Sequence, residues 1–163
     1  MRSRAVLIAV LAAIASFAAQ TAGSPPWGAV TAKPARNSDL AGTWVMLRLV
    51  VDKADPDDST FAPYQIFQFD TSGRMKFMTS AKPFSNFALF EAAPLVTRFT
   101  LDKHGVLTLS NPGWDAPRKY QCTVVAKGPA GDEARVPRAG DVLLSGLDES
   151  GKPSWSKLLR QSR

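Results

Sequence analysis

Side chains able to do acid–base, nucleophilic or metal chemistry are few and scattered in this 163-residue chain. The single histidine, His104, stands beside Gly105 in an expected hairpin turn, where a histidine is usually solvated. No serine and carboxylate accompany it in a strand-to-helix elbow, so a hydrolase triad is not supported. The single cysteine, Cys122, excludes an internal disulfide and a cysteine-based metal cluster. We therefore predict no catalytic residue, no cofactor and no enzymatic activity.

Four aspartates in one short stretch are the remaining candidates for metal chemistry: Asp52, Asp55, Asp57 and Asp58. Four carboxylates could collect a calcium ion, but this spacing lacks the glycine and the glutamate of an EF-hand loop. The pattern favours a solvated acidic loop, and we predict no metal site.

The first 23 residues have the three-part layout of a secretory signal peptide. Arg2 and Arg4 form the basic region, residues 5–15 are apolar, and small residues follow at 16, 18 and 21–23. A membrane anchor is the alternative, but a spanning helix needs ~20 apolar residues. We predict cleavage between residues 18 and 23, no transmembrane segment, and a periplasmic or secreted location.

The charge balance of the exported chain argues against nucleic-acid binding. The sequence has 20 basic and 14 acidic residues, so loss of Arg2 and Arg4 leaves 18 − 14 = +4. The basic residues are scattered, and the aromatic residues alternate with apolar ones instead of forming stacking platforms. With one thiol in an oxidising compartment, we expect Cys122 to be buried and the protein to be a monomer. A disulfide-linked dimer is the alternative.

The elements that must position these side chains are almost all strands. Residues 24–38, rich in proline, glycine and small polar residues, are predicted to be a flexible lead-in to a β domain at 39–163. Alternating apolar and polar residues, with turns about every ten residues, are typical of an antiparallel sandwich or barrel. The predicted strands are 43–51, 64–70, 74–80, 95–102, 106–110, 118–127, 141–147 and 154–160.

Short hairpin turns at 71–73, 103–105 and 148–152 favour an eight-stranded antiparallel up-and-down barrel. Closing the sheet removes its two exposed edges, and eight strands leave an interior that side chains fill or that holds one small ligand. A Greek-key sandwich is the alternative, because the longer segments 81–94, 111–117 and 128–139 could serve as its crossovers.

The start of the first strand, with Gly42 and Trp44 in a Gly-x-Trp sequence, resembles the opening of lipocalin-like, or calycin, barrels. In that family the glycine lets the chain turn into the strand, and the tryptophan plugs the closed end of the barrel. An arginine late in the last strand packs across the indole, and the resemblance implies this cation–π role for Arg160. The hairpin turn at 70–73 also resembles that of small bacterial lipocalin-like proteins. The resemblance covers roughly 39–161, with its motifs mainly at the two ends.

The resemblance implies a binding function, because such barrels hold small apolar molecules in a cup of inward side chains. The expected partner is a small hydrophobic or amphipathic molecule, such as a lipid. We predict that the cup is lined by Phe67, Phe69, Met75, Phe77, Phe99, Leu101, Tyr120 and Val124. A barrel filled solidly by these side chains, without a cavity, is the alternative.

A short helix is predicted near residues 83–91, where Pro83 is tolerated in a first helical turn. Phe84, Phe87 and Phe90 are three residues apart and would form a phenylalanine stripe on such a helix. Across the barrel mouth the stripe would be a lid, and at one end of the core it would be a plug. An exposed stripe would instead mark a protein or membrane contact.

Two functions therefore stay open after the sequence analysis. The first is an exported lipocalin-like carrier, which a cavity above ~300 Å³ would favour. The second is an exported protein-interaction module, similar to small bacterial protease-inhibitor barrels, although those generally carry a disulfide that this chain cannot form. A filled barrel with an exposed apolar rim around residues 84–90 would favour the second function.

Overall fold

A computed structural model of the protein describes residues 27–51, 58–130, 135–148 and 150–162. The predicted signal peptide, residues 1–23, and the acidic positions 52–57 lie outside the described residues. Within those ranges the protein is mostly β, with two short α-helices and one short 3-10 helix. No helix in the described ranges is long and apolar enough to cross a membrane.

Eight strands form the barrel, and their bounds lie close to the predicted ones. They are β2 (Gly42–Val51), β3 (Tyr64–Phe69), β4 (Arg74–Ser80), β5 (Thr97–Leu101), β6 (Val106–Ser110), β7 (Arg118–Lys127), β8 (Val142–Leu147) and β9 (Pro153–Gln161). The other elements are β1 (Thr31–Pro34), α1 (Asn37–Leu40), α2 (Ala88–Ala92) and the 3-10 helix at Ser59–Phe61.

The predicted closed barrel is confirmed by the strand pairing. Each strand from β2 to β9 pairs antiparallel with the next strand along the chain, and β9 pairs back onto β2. The closing pair places Val45 opposite Arg160 and Trp44 opposite Gln161. Because neighbours in sequence are neighbours in the sheet, the order is up-and-down, and the sandwich alternative is wrong.

Part of the predicted flexible lead-in is ordered instead. β1 pairs with the second half of β7, so that Lys33 lies opposite Val124. Trp27 is buried, and the Arg48 guanidinium lies 5.3 Å from the centroid of its ring. The prolines of this segment lower its own strand propensity. The second half of β7, however, is not paired with β6, and its backbone groups bind β1, which a local sequence pattern cannot predict.

Three hairpin turns share an Asp-x-x-Gly sequence and one mechanism. Their aspartates, Asp70, Asp102 and Asp148, each accept hydrogen bonds of 2.8–2.9 Å from backbone amides that follow in the turn. The glycines, at positions 73, 105 and 151, have φ of 82°, 79° and 79°, a conformation that strains any residue with a Cβ. These turns set the register of β3 with β4, β5 with β6, and β8 with β9.

One end of the barrel is closed by packed side chains. α1 leads into β2, and Leu40 in its last position is 1% exposed. The Trp44 indole Nε1 donates a 2.7 Å hydrogen bond to the Leu40 carbonyl, so the ring is held inside beneath the helix. Phe69 and Phe99 meet edge to face at 5.2 Å in the same core. The tryptophan is therefore buried in the core next to the helix.

The contacts of Arg160 that the structure describes lie on the outer face of the barrel, and its implied cation–π role at Trp44 stays a prediction. Arg160 lies opposite Val45, and successive side chains of a strand alternate between faces, so it shares the outer face with Val45. Its guanidinium donates from Nε and Nη2 to the buried carboxylate of Asp141, at 2.9 and 2.7 Å. The ion pair ties β9 to the chain that enters β8.

Candidate ligand site at the open end of the barrel

A cavity of about 50 Å³ lies at the end of the barrel opposite α1. Its walls come from β3, β4, β6, β7, β8 and β9, with the 3-10 helix and the β6–β7 connection at its rim. The lining residues are Ser59, Thr60, Gln65, Phe67, Met75, Phe77, Thr79, Leu109, Trp114, Arg118, Tyr120, Leu144 and Lys157.

Strand alternation explains why these side chains converge. Phe67 lies opposite Phe77 in the β3–β4 pair, and their rings stack with centroids 6.3 Å apart. Gln65 and Thr79 form the next inward pair toward the mouth. Because side chains two residues apart share a face, a polar pair follows the aromatic pair at the rim. The cavity therefore has an apolar floor and a partly polar edge.

Lys157 is the cationic group deepest in this site. It is 4% exposed and lies opposite Leu144, on the inward face of β9. Its Nζ lies 4.6 Å from the centroid of the Trp155 ring and 5.8 Å from that of Phe67. Burial lowers the pKa of this amine to about 8, and the negative charge of Asp58 opposes that shift only in part.

Gly146 explains how Trp155 comes to lie beside the amine. The two residues are paired across β8 and β9, and any Cβ at position 146 would clash with the indole. The missing side chain lets the indole lie over the glycine, where it also contacts the Tyr120 ring at 5.6 Å. Gly146 thus permits the Trp155 indole to lie beside Lys157, and Phe67 from β3 is a second aromatic neighbour of the amine.

Tyr120, Arg118 and Trp114 form the wall that continues from Trp155 onto β7 and the β6–β7 connection. Burial raises the pKa of the Tyr120 hydroxyl, and the nearby Arg118 guanidinium opposes that shift. Arg118 stacks on the Trp114 ring, with its Cζ 4.4 Å from the centroid. The hydroxyl and the guanidinium are thus two hydrogen-bond donors on the same side of the cavity.

The part of the rim formed by the 3-10 helix and the start of β3 is held in place by hydrogen bonds among its own polar groups. The Gln65 amide donates to the carbonyls of Thr60 and Ala62, at 2.9 and 2.8 Å. The Asp58 carboxylate accepts the Thr60 amide at 2.8 Å, which holds the pKa of Asp58 below its ordinary value. These bonds fix the 3-10 helix over the start of β3.

The predicted cup residues divide into two groups. Phe67, Met75, Phe77 and Tyr120 line the cavity. The other four, Phe69, Phe99, Leu101 and Val124, point inward but pack in the hydrophobic core. These four side chains lie toward the end of the barrel that α1 covers, where they pack with Leu40 and Trp44 and leave no cavity.

Sequence reasoning missed the three residues that give the site its charge and its outer wall: Trp114, Arg118 and Lys157. The signal for Lys157 was present, because it stands two residues from Trp155 and from Leu159 on one face of the last strand. A lysine between apolar residues on the inward face of a strand indicates that its side chain points into the barrel. Trp114 lies in the β6–β7 connection, where no periodicity predicts direction.

The helix predicted near 83–91 is shorter in the structure, where α2 covers only Ala88–Ala92, and it lies outside the barrel. Lys76 alternates with the inward residues of β4, so it points outward, and its Nζ donates to the carbonyls of Glu91 and Ala93. The Phe90 ring lies 4.9 Å from that nitrogen and is buried there. Residues 81–94 thus contribute nothing to the cavity lining, and Phe90 is not part of a lid.

The other two residues of the predicted stripe are separated from Phe90. Phe84 and Phe87 contact each other with ring centroids 5.9 Å apart, and Phe87 is 43% exposed. Leu89 on the first turn of α2 is 77% exposed. The stripe is therefore divided between Phe90, which is buried, and an apolar tip formed by the half-buried Phe84 and the exposed Phe87 and Leu89.

A second depression, of about 260 Å³, lies outside the barrel near the junction of β1 and α1. It is lined by Lys33, Pro34, Ala35, Arg36, Asp102 and Lys103, without an aromatic ring. No cluster of three or more histidine, cysteine or acidic residues able to hold a metal occurs in the described part of the chain. The barrel mouth is therefore the place where aromatic and charged side chains converge on an enclosed space.

Fold and site together define a closed eight-stranded antiparallel barrel, consistent with a calycin-like fold, that is filled at one end and open to a small cavity at the other. A comparison of the chain with models of known protein families, with curated proteins and with solved structures gave no match to any of them.

Proposed function

We propose that this protein is an exported lipocalin-like binding protein that holds a small hydrophobic or amphipathic molecule at the open end of its barrel. The observation that carries the proposal is the cavity at the mouth, which has Phe67, Phe77 and Trp114 in its walls. Aromatic faces supply dispersion contacts with little demand on ligand shape, and Met75 adapts to irregular outlines.

The size of the cavity limits how the ligand is held. About 50 Å³ has room for a few water-sized groups, whereas sites that enclose a drug-sized ligand measure ~300–1,000 Å³. The cavity is well below the size that a fully enclosing carrier needs. The proposed ligand therefore inserts one end between the aromatic walls, and its remainder lies at the mouth beside Phe77, which is 37% exposed.

Filling the cavity tests this function directly. Thr79→Trp adds an indole at the rim of the cavity. Thr100→Trp adds the same group at an exposed position of β5 and is the matched control. We expect the neutral fluorophore N-phenyl-1-naphthylamine to bind the wild type and Thr100→Trp, and to bind Thr79→Trp at least about tenfold more weakly. Equal binding by all three proteins, or no binding by the wild type, would contradict the proposal.

Export is the part of the proposal that rests on the leader alone. We infer a periplasmic or secreted location from the basic, apolar and small-residue regions of positions 1–23. Expression of the full chain in a bacterial host, followed by fractionation and N-terminal sequencing, tests it. A mature N-terminus between residues 19 and 24 is expected, and an uncleaved cytoplasmic chain would refute it.

A protein-interaction module is the second candidate, and the apolar tip of Phe84, Phe87 and Leu89 favours it, because Phe87 and Leu89 are exposed. The filled core at the other end agrees with a barrel that works through its surface. Inhibition of an exported protease that Leu89→Ser abolishes, while Thr79→Trp leaves it intact, would support this candidate over the first. The reverse pattern in ligand binding would support the carrier.

A further inference from the structure

Lys157 has an unusual set of neighbours for a buried cation. Buried lysines usually meet a carboxylate, because a desolvated ammonium ion needs a compensating charge. Among the described residues the only ion pair is that of Arg160 with Asp141, and no hydrogen bond to the Lys157 amine occurs there. The amine lies near the rings of Trp155 and Phe67, and Lys157 lines the cavity.

The other polar groups of the cavity also favour a negative charge. Arg118 is a permanent cation, and Tyr120 has a hydroxyl that can donate a hydrogen bond. Both N–H groups of the Gln65 amide are occupied by backbone carbonyls. The titratable groups that act on this region are Arg118, Tyr120 and Asp58, and only Asp58 is acidic.

We infer that the ligand of this site is a small amphipathic carboxylate, whose head group binds the Lys157 amine inside the cavity while its apolar part lies between Phe67, Phe77 and Trp114. This inference rests on the proposed binding function and specifies its ligand class. The cavity of about 50 Å³ fits a carboxylate group, and the mouth accommodates the apolar part. Arg118 and the Tyr120 hydroxyl supply the other donors.

The experiment compares two probes that differ in charge but have similar chains, decanoate and decanol. Binding is followed by quenching of tryptophan fluorescence, since Trp114 and Trp155 flank the site. At pH 7 we expect decanoate to bind the wild type at least about tenfold more tightly than decanol. The Lys157→Met variant should lose that preference but still bind decanol. Lys119→Met, at an exposed position of β7, is the matched control.

The pH dependence gives a second readout. The pKa of the Lys157 amine is about 8, so the charged form decreases above that pH. Decanoate affinity should therefore fall about tenfold between pH 7 and pH 9 in the wild type and stay flat in Lys157→Met, while decanol affinity stays flat in both.

The outcomes separate the two levels of the proposal. If both probes bind equally well and Lys157→Met changes neither, the inference about the head group is overturned and the binding function stands. If neither probe nor the neutral fluorophore binds the wild type, the binding function itself is overturned. Circular dichroism and urea unfolding of Lys157→Met check that the variant is folded before either conclusion is drawn.

Discussion

Arg160 binds Asp141 through two hydrogen bonds, Nε to Oδ1 at 2.9 Å and Nη2 to Oδ2 at 2.7 Å. The Asp141 carboxylate also accepts the backbone amide of Arg138 at 2.8 Å, and Nη2 of Arg160 reaches the Val136 carbonyl at 2.9 Å. The side chain of Asp141 is 5% exposed and that of Arg160 is 25% exposed, so the carboxylate is buried while the guanidinium side chain is partly accessible to solvent. It joins the last strand to the loop before β8, where the barrel closes.

Asp141→Asn should destabilise the fold. The change removes the buried negative charge and replaces one carboxylate oxygen by an NH₂ group. Because the guanidinium can only donate hydrogen bonds, that NH₂ group cannot accept one from it. We expect the free energy of unfolding to fall by about 2 kcal/mol. Urea unfolding measures it, with Asp115→Asn on an exposed loop as the control. A loss no larger than that of the control would mean that the pair contributes little to stability.

Lys157→Met should stabilise the protein at neutral pH. Burial lowers the folded-state pKa of Lys157 from 10.5 to about 8, so the unfolded chain binds more protons between these values and wild-type stability rises with pH there. The variant should exceed the wild type at pH 7 by up to about 3 kcal/mol. The difference should shrink as the pH approaches 9.5.

Urea unfolding at several pH values between 6.5 and about 9.5 checks this expectation. The range ends there because burial raises the pKa of the Tyr120 hydroxyl. Above its ordinary pKa of ~10 the folded state holds that proton longer, so stability falls with pH. A constant difference between the variant and the wild type would contradict the expected pH dependence, and Lys119→Met should show no gain.

Cys122 should be unreactive in the folded protein. The thiol is 1% exposed, and burial raises its pKa to about 12, so almost no thiolate forms at pH 8. We expect 5,5′-dithiobis(2-nitrobenzoic acid) to label it only after unfolding in guanidinium chloride. Ser110→Cys on the exposed end of β6 should be labelled at once. Rapid labelling of native Cys122, or a disulfide-linked dimer on a non-reducing gel, would contradict this expectation.

The three hairpin aspartates should make the fold sensitive to acid. Hydrogen bonds from turn residues lower the pKa values of Asp70, Asp102 and Asp148 below 3.8. A lowered folded-state pKa gives stability that is complete above the unfolded value and is lost as the pH falls through the folded value. The triple Asn variant, which keeps an acceptor in each turn, should therefore lose less stability between pH 4 and pH 2.

Thermal unfolding of the triple variant and the wild type across that pH range measures the effect. Asp115→Asn serves as the control for the loss of one carboxylate outside the three turns. An acid transition that is the same in all three proteins would place the sensitivity elsewhere in the chain.

Strand positions were predictable because their cause is local. β4, β6 and β7 have the predicted bounds, since alternation and a following turn decide where such a strand begins and ends. β5 begins at Thr97, two residues later than predicted, because its register with β4 consists of two pairs, Arg74 with Arg98 and Met75 with Thr97. A strand bound that depends on a partner is not contained in the segment itself.

By itself, the sequence determined which side chains share a face: all eight predicted cup residues point inward, because alternation is a property of each strand. Only the tertiary structure decided what they meet there. Packing around α1 filled one end of the barrel, and the pairing of Gly146 with Trp155 placed an indole beside Lys157. The order of the strands brought Arg160 close enough to Asp141 to form an ion pair. These contacts join residues from different strands, so they depend on chain closure rather than on any local pattern.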